Sequence, residues 1–164
     1  MVTLFICSNS ARPGAAPGSG ARGRPALPPV KWPFSVQEVM VPCTGKLQPE
    51  HLLKAFEAGA DLVCVIACDE QNCHYVEGSR RAQRRVEFVR GLLDELGLGG
   101  DRLLLFHLPG SAKEDMAAGS GNGAEQGGAR EDDAARRMQA IADEIAGKLK
   151  VLGESPLRRA SVPA

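Results

Sequence analysis

The seven residues Asp61–Ala67 are apolar on both of the faces that a β-strand presents. Strands of this kind are covered on both sides, as in the middle of a parallel sheet. Arg102–His107 repeats the pattern. Two further runs, Val2–Cys7 and Val36–Pro42, also have the character of strands. These four runs predict a small parallel sheet of about four strands.

In chain order, a helical pattern follows each of the last three runs, those that begin at Val36, Asp61 and Arg102. The first begins at Pro49 and ends near Gly59, and the second runs from Ser79, a candidate N-cap, to Gly97. The third covers about Asp132–Val151. Strands that alternate with helices predict right-handed crossovers and a doubly wound α/β fold of the Rossmann or flavodoxin-like type.

Two stretches rich in glycine and proline interrupt the alternation, at residues 11–33 and 109–130. Six prolines in the first stretch exclude an ordinary helix. Both stretches are predicted to be flexible inserts, the first of them loop or extended coil. The remaining chain suits one core, so residues 1–164 are predicted to form a single domain.

Charge and hydropathy exclude several classes of function. The chain has 20 Lys and Arg residues against 20 Asp and Glu residues, which argues against a general nucleic-acid binder. No apolar run reaches the roughly 20 residues of a membrane span. Met1–Cys7 lacks the basic segment and the long apolar segment of a secretory signal. These features predict a cytoplasmic protein.

All five cysteines lie in the first 73 residues. Cys7 ends the first strand, Cys43 follows the second, and Cys68 follows the third, with Cys73 in the loop beyond. Loops at the carboxyl ends of parallel strands converge on one edge of the sheet, where ligands bind. Cys64 lies in the middle of a strand and is predicted to fill the core.

Four converging thiolates are the complete ligand set of an iron–sulfur cluster or of a structural zinc ion. The spacing of Cys68 and Cys73 does not identify the metal, and His74 is expected to lie at the surface or behind the ligands. Three functions stay open at this point. They are an electron-transfer protein, a zinc-binding structural or interaction module, and a thiol enzyme or sulfur carrier that uses an activated Cys43 or Cys68.

Three ordered motifs carry a resemblance to a known family. They are Pro42-Cys43-Thr44-Gly45, then Ala55-Phe56-Glu57-Ala58-Gly59-Ala60-Asp61, then Cys68 to Cys73-His74-Tyr75. Gly78, Ala82 and Arg85 follow in the same register. The chain resembles the iron–sulfur delta subunit of methyl-viologen-reducing, or F420-non-reducing, hydrogenase over Thr3–Ser10 and about Val36–Phe106.

The resemblance implies a non-catalytic electron-transfer subunit of an oxidoreductase complex. It implies a [2Fe–2S] cluster on Cys7, Cys43, Cys68 and Cys73. The implied partners are a hydrogenase or a formate dehydrogenase on one side and a heterodisulfide reductase-like flavoprotein on the other. The chain departs from the family where a second amino-terminal cysteine is usual, because Ser10 occupies that position.

Four arginines follow the cysteine loop, at positions 80, 81, 84 and 85. On a helix they pair at i, i+4 and share a face opposite the apolar positions. They are predicted to form a basic patch that attracts an acidic partner protein in a salt-dependent way.

Overall fold

The structure is a computed structural model that describes residues 1–10, 12–13, 26–27, 30–109 and 123–159. Four parallel strands form the main sheet in the order β4-β1-β5-β6, and two short strands, β2 and β3, pair separately in parallel. The strands are β1 (Val2–Cys7), β2 (Arg12–Pro13), β3 (Ala26–Leu27), β4 (Val36–Val41), β5 (Leu62–Cys68) and β6 (Leu103–Leu108).

The main sheet has the strand order of a flavodoxin-like fold, which confirms the predicted fold class. Counted along the chain, its four strands lie in the order second, first, third, fourth. The order reverses beside β1, and ligands in such folds bind at the carboxyl ends of the strands that flank the reversal. Val2 aligns with Val36 on β4 and with Leu62 on β5, so the carboxyl ends of these strands lie side by side.

Helices cover both faces of the sheet. On one face α1 (Pro49–Glu57) and α2 (Gly78–Glu95) pack, and on the other lies α3 (Gly123–Leu152). A hydrophobic core lies on each face of the sheet. Successive side chains of β5 point alternately into one core and the other, as in any β-strand. The residues packed towards α1 and α2 include Phe5, Phe56, Val63, Val65, Val89 and Leu93, and those packed towards α3 include Leu4, Ile6, Ile66, Met138 and Ile145.

Several element boundaries differ from the sequence prediction. Helix α2 begins at Gly78 with Glu77 as its N-cap, so the prediction that Ser79 caps it is wrong. Helix α3 begins at Gly123, nine residues before the predicted Asp132. Good helix formers between residues 124 and 131 outweigh the two glycines there.

The glycine- and proline-rich inserts lie mostly outside the described residues. The described parts of the first insert include β2 and β3, which the prediction of coil missed. In the second insert, residues 123–130 belong to α3. No helix in the described part of the chain is both long and apolar enough to cross a membrane.

Candidate metal centre

Cys7 and Cys68 occupy the last positions of the neighbouring strands β1 and β5. Their side chains meet beyond the sheet edge, and the Cys68 thiol lies 3.4 Å from the Cys7 sulfur. Both side chains are buried. Two of the four predicted ligands are therefore in contact at the strand-order reversal, where this fold binds ligands.

Cys43 and Cys73 reach the same edge from loops. A Cβ atom built on Gly78 would overlap the Cys43 sulfur and lie 3.2 Å from the Cys73 sulfur. Cys73 also packs with Cys7 and Cys68 in one buried cluster. The first residue of α2 thus lacks a side chain at the point where two sulfurs converge, and a larger residue there would displace the Cys43 sulfur.

A second glycine brings the loop after Cys43 against the helix. A Cβ atom on Gly45 would lie 2.7 Å from the Cα atom and from the carbonyl oxygen of Gly78. No side chain separates the two backbones. This close approach places the Cys43 sulfur beside the amino-terminal end of α2.

The surroundings of Cys7 favour its thiolate. The hydrogen bond from Cys68 is the main cause that lowers the Cys7 pKa to about 6, and burial opposes it. Backbone N–H groups of Asn9, Thr44 and Ser10 also donate to the sulfur and lower the pKa. Amides that converge on sulfur stabilise negative charge there.

Cys43 and Cys68 resist further negative charge. The pKa of Cys68 is raised because it donates its proton to Cys7, because it is buried, and because the remaining sulfurs lie close. Burial raises the pKa of Cys43, and the nearby Cys7 and Cys73 add to the effect. A cationic metal would relieve this repulsion, since it binds cysteines as thiolates.

Three polar side chains fix the backbone around the sulfurs. Asn9 donates to the Pro42 carbonyl at 2.7 Å, and the Ser79 hydroxyl donates to the Cys68 carbonyl at 2.7 Å. Arg85 donates to the carbonyls of Gly45 and Leu47. Sequence reasoning missed these roles, because each joins positions more than ten residues apart and no local pattern marks it.

Ser10, which departs from the family pattern, is fully buried. Its hydroxyl donates to the Cys7 carbonyl at 2.8 Å, and its own N–H group bonds the same oxygen at 3.0 Å. Ser10 therefore closes the turn that follows β1 and orients the backbone of Cys7.

Cys64 and His74 occupy different surroundings from the four predicted ligands. Cys64 is fully buried in the core beneath α3, as predicted, and burial raises its pKa. His74 is half-buried, and its ring meets the Tyr75 ring edge-on with the centroids 4.9 Å apart.

The predicted basic patch does not form as a unit. Arg80 pairs with Glu70, and Arg81 pairs with Glu77. Arg85 turns inward to the loop carbonyls and does not share an open face with Arg80 and Arg81, and docking to an acidic partner stays a prediction. The helical spacing was right, but spacing alone does not show which arginine finds a buried acceptor.

The donor chemistry fits a soft metal. Four buried sulfurs, one of them favoured as thiolate, and several amide donors are the features of iron–sulfur sites. Among the described residues, no three His, Cys, Asp or Glu side chains surround a position for a single metal ion. A [2Fe–2S] cluster distributes its four ligands over two irons, so it does not require such a position.

The fold and this edge define a class: a flavodoxin-like domain whose ligand-binding edge carries four cysteines. Within that class the family is shown by the sequence itself. The family model of the methyl-viologen-reducing hydrogenase delta subunit matches residues 2–125. The chain belongs to this family.

Curated relatives agree with the assignment. The vhu iron-sulfur protein of the F420-non-reducing hydrogenase of Methanococcus maripaludis is 32% identical over 158 residues, which is 96% of each chain. The protein of the same name from Methanocaldococcus jannaschii is 41% identical over 91 residues, or 56% of this chain and 68% of that one. A much longer chain of the CoB-CoM heterodisulfide reductase of Methanosarcina acetivorans is 31% identical over 74 residues, which is 45% of this chain and 9% of that one.

Proposed function

We propose that this protein relays electrons through a [2Fe–2S] cluster held by Cys7, Cys43, Cys68 and Cys73. The cluster would supply one-electron chemistry, and the protein itself would catalyse no reaction. We further propose that residues 1–164 form a single domain that acts in the cytoplasm. The observation that carries the proposal is the convergence of four buried sulfurs at the carboxyl edge of the sheet.

The chain's own groups would set the properties of the cluster. Backbone N–H groups directed at Cys7, and the burial of all four sulfurs, are features that tune reduction potential in iron–sulfur proteins. Asn9 and Ser79 hold the backbone on either side of the sulfurs. A rigid ligand shell favours fast electron transfer because it changes little between oxidation states.

The relatives support the choice of partners. Relatives over nearly the whole chain are named as iron-sulfur subunits of a hydrogenase. A segment similar to this chain also lies inside the heterodisulfide reductases of two Methanosarcina species. We infer that the donor is a hydrogenase or a formate dehydrogenase and that the acceptor is a heterodisulfide reductase-like flavoprotein.

The thiol-enzyme alternative fits the site less well. It needs a lowered pKa at Cys43 or Cys68, since only a thiolate is nucleophilic. Burial and neighbouring sulfurs raise the pKa of Cys43, and a donated hydrogen bond raises that of Cys68. Cys7 has a lowered pKa, but its side chain is buried and therefore not accessible to a substrate.

The relay is tested by following the visible absorption of the iron-loaded protein under anaerobic conditions. We expect hydrogen plus the partner hydrogenase, or formate plus the partner dehydrogenase, to bleach the absorption. Adding the oxidised flavoprotein should then restore it. A cluster that either donor reduces but the flavoprotein does not reoxidise would contradict the proposed direction of transfer, and a cluster that neither donor reduces would contradict the relay.

A further inference from the structure

Arg85 binds backbone rather than an acidic partner. It is half-buried on α2, and its Nη1 atom donates to the Gly45 carbonyl and, at 2.7 Å, to the Leu47 carbonyl. No described carboxylate forms an ion pair with it, whereas Arg80 and Arg81 on the same helix both have acidic partners. The guanidinium group is therefore used to hold a loop.

The loop that Arg85 holds begins at Cys43. Thr44–Lys46 forms a single 3-10 turn, in which Lys46 donates to the Cys43 carbonyl and Leu47 to the Thr44 carbonyl. Those two bonds leave the carbonyls of Gly45 and Leu47 for Arg85. Hydrogen bonds from a charged donor are stronger than those between neutral groups.

The loop meets α2 at two points on one helix face. Gly78 and Arg85 are seven residues apart, about two helical turns, so they lie on the same side of α2. At the first turn of α2, the backbone of Gly45 lies against that of Gly78. Two turns further along the helix, Arg85 donates a hydrogen bond to the loop. Two points of attachment fix the orientation of the turn, whereas one would leave it free to rotate.

We propose that Arg85 is a positioning residue that seats the Cys43 loop on α2 and thereby holds the Cys43 sulfur beside that of Cys73. The effect of Arg85 on a bound cluster rests on the proposed function. The loop attachment itself does not, and it can be measured in the metal-free protein.

The test measures how fast iodoacetamide alkylates each cysteine of the reduced, metal-free protein, with the labelled peptides identified by mass spectrometry. A buried thiol reacts when its segment opens, so its rate follows the opening equilibrium. In Arg85→Gln we expect Cys43 to react at least about tenfold faster than in the wild type, because the substitution removes the charged donor to both loop carbonyls. Cys64 in the core reports global unfolding and should stay protected.

Arg84→Gln is the matched control, since Arg84 is an exposed neighbour on the same helix. It should leave all labelling rates at wild-type values. Arg85→Lys keeps the charge on a single donor nitrogen but loses the planar fork of the guanidinium group, so Cys43 should react at an intermediate rate. Unchanged labelling of Cys43 in Arg85→Gln, with Cys64 protected, would overturn the proposal.

If Arg85→Gln unfolds, Cys64 is labelled as well, and Arg85→Lys then decides. Faster labelling of Cys43 with a protected Cys64 supports the proposal, and wild-type labelling overturns it. In iron-loaded protein, Arg85→Gln should also shift the reduction potential or the electron paramagnetic resonance line shape, while Arg84→Gln should not. If the protein binds no iron, the proposed function fails, but the alkylation rates still test the role of Arg85.

Discussion

Position along a strand separates the two cysteines of β5. Cys64 and Cys68 are four residues apart, so their side chains point to the same face of the sheet. Cys64 lies in mid-strand, surrounded by the core beneath α3. Cys68 ends the strand, where the sheet stops covering its side chain and other sulfurs replace the apolar neighbours.

This difference predicts opposite outcomes for the same substitution at the two positions. Cys64→Ala should keep its iron and lose about 1 kcal/mol of unfolding free energy, because it removes one small buried group. Cys68→Ala should lose the iron while its secondary structure stays intact. Iron content and urea unfolding measure both effects. A Cys68→Ala protein with wild-type iron and an unchanged spectrum would show that Cys68 is not a ligand.

At the scale of single residues, the sequence predicts where the cysteines lie better than it predicts which side chains hold the backbone around them. Cys7, Cys43 and Cys68 can be assigned to strand ends because apolar runs stop beside them. Asn9 and Arg85 act on carbonyls 33 and 40 residues away. Only the folded chain brings those groups together, so their roles depend on tertiary structure that no local pattern encodes.

Among the elements, α3 depends on one buried arginine at the opposite edge of the sheet. Arg102 is 7% exposed and donates to the carbonyl of Leu152, the last residue of the helix, and to those of Gly153 and Glu154 just beyond it. It also donates to the carbonyls of Asp61 and Leu98. The side chain supplies donors to carbonyls at the end of the helix, where the helix itself offers none.

Replacement of this arginine tests the role of the contact. Arg102→Met keeps much of the apolar volume but removes every donor, so we expect a loss of about 3 kcal/mol or more of unfolding free energy. The matched control is Arg84→Met, on the exposed side of α2, which should change stability by less than about 0.5 kcal/mol. Urea denaturation of the metal-free proteins measures both. Equal midpoints for Arg102→Met and the wild type would contradict the helix-end role.

The turn into α2 shows why element boundaries were harder to predict than elements. Val76 has a φ of 61°, and the Glu77 N–H donates to the Tyr75 carbonyl at 2.6 Å across it. A β-branched residue rarely adopts this conformation, so nothing in the sequence marks a turn there. The helix consequently starts after Glu77 and leaves the Ser79 hydroxyl to bind the Cys68 carbonyl.

For the whole molecule, the alternation of strands and helices predicts the parallel sheet but not the order of its strands. Convergence of the cysteines depends on that order, because β4 and β5 must both lie next to β1. In this order the loop that carries Cys43 and the end of β5 that carries Cys68 flank Cys7. The observed topology therefore supplies what the spacing of the cysteines leaves open.

The most direct test of the central claim is the iron, sulfide and zinc content of anaerobically prepared protein. Four cysteines that hold a [2Fe–2S] cluster predict a reddish-brown protein with about two irons and about two labile sulfides per chain. Reduction should produce the electron paramagnetic resonance signal of such a cluster. Stoichiometric zinc without iron, in a colourless protein, would contradict the account.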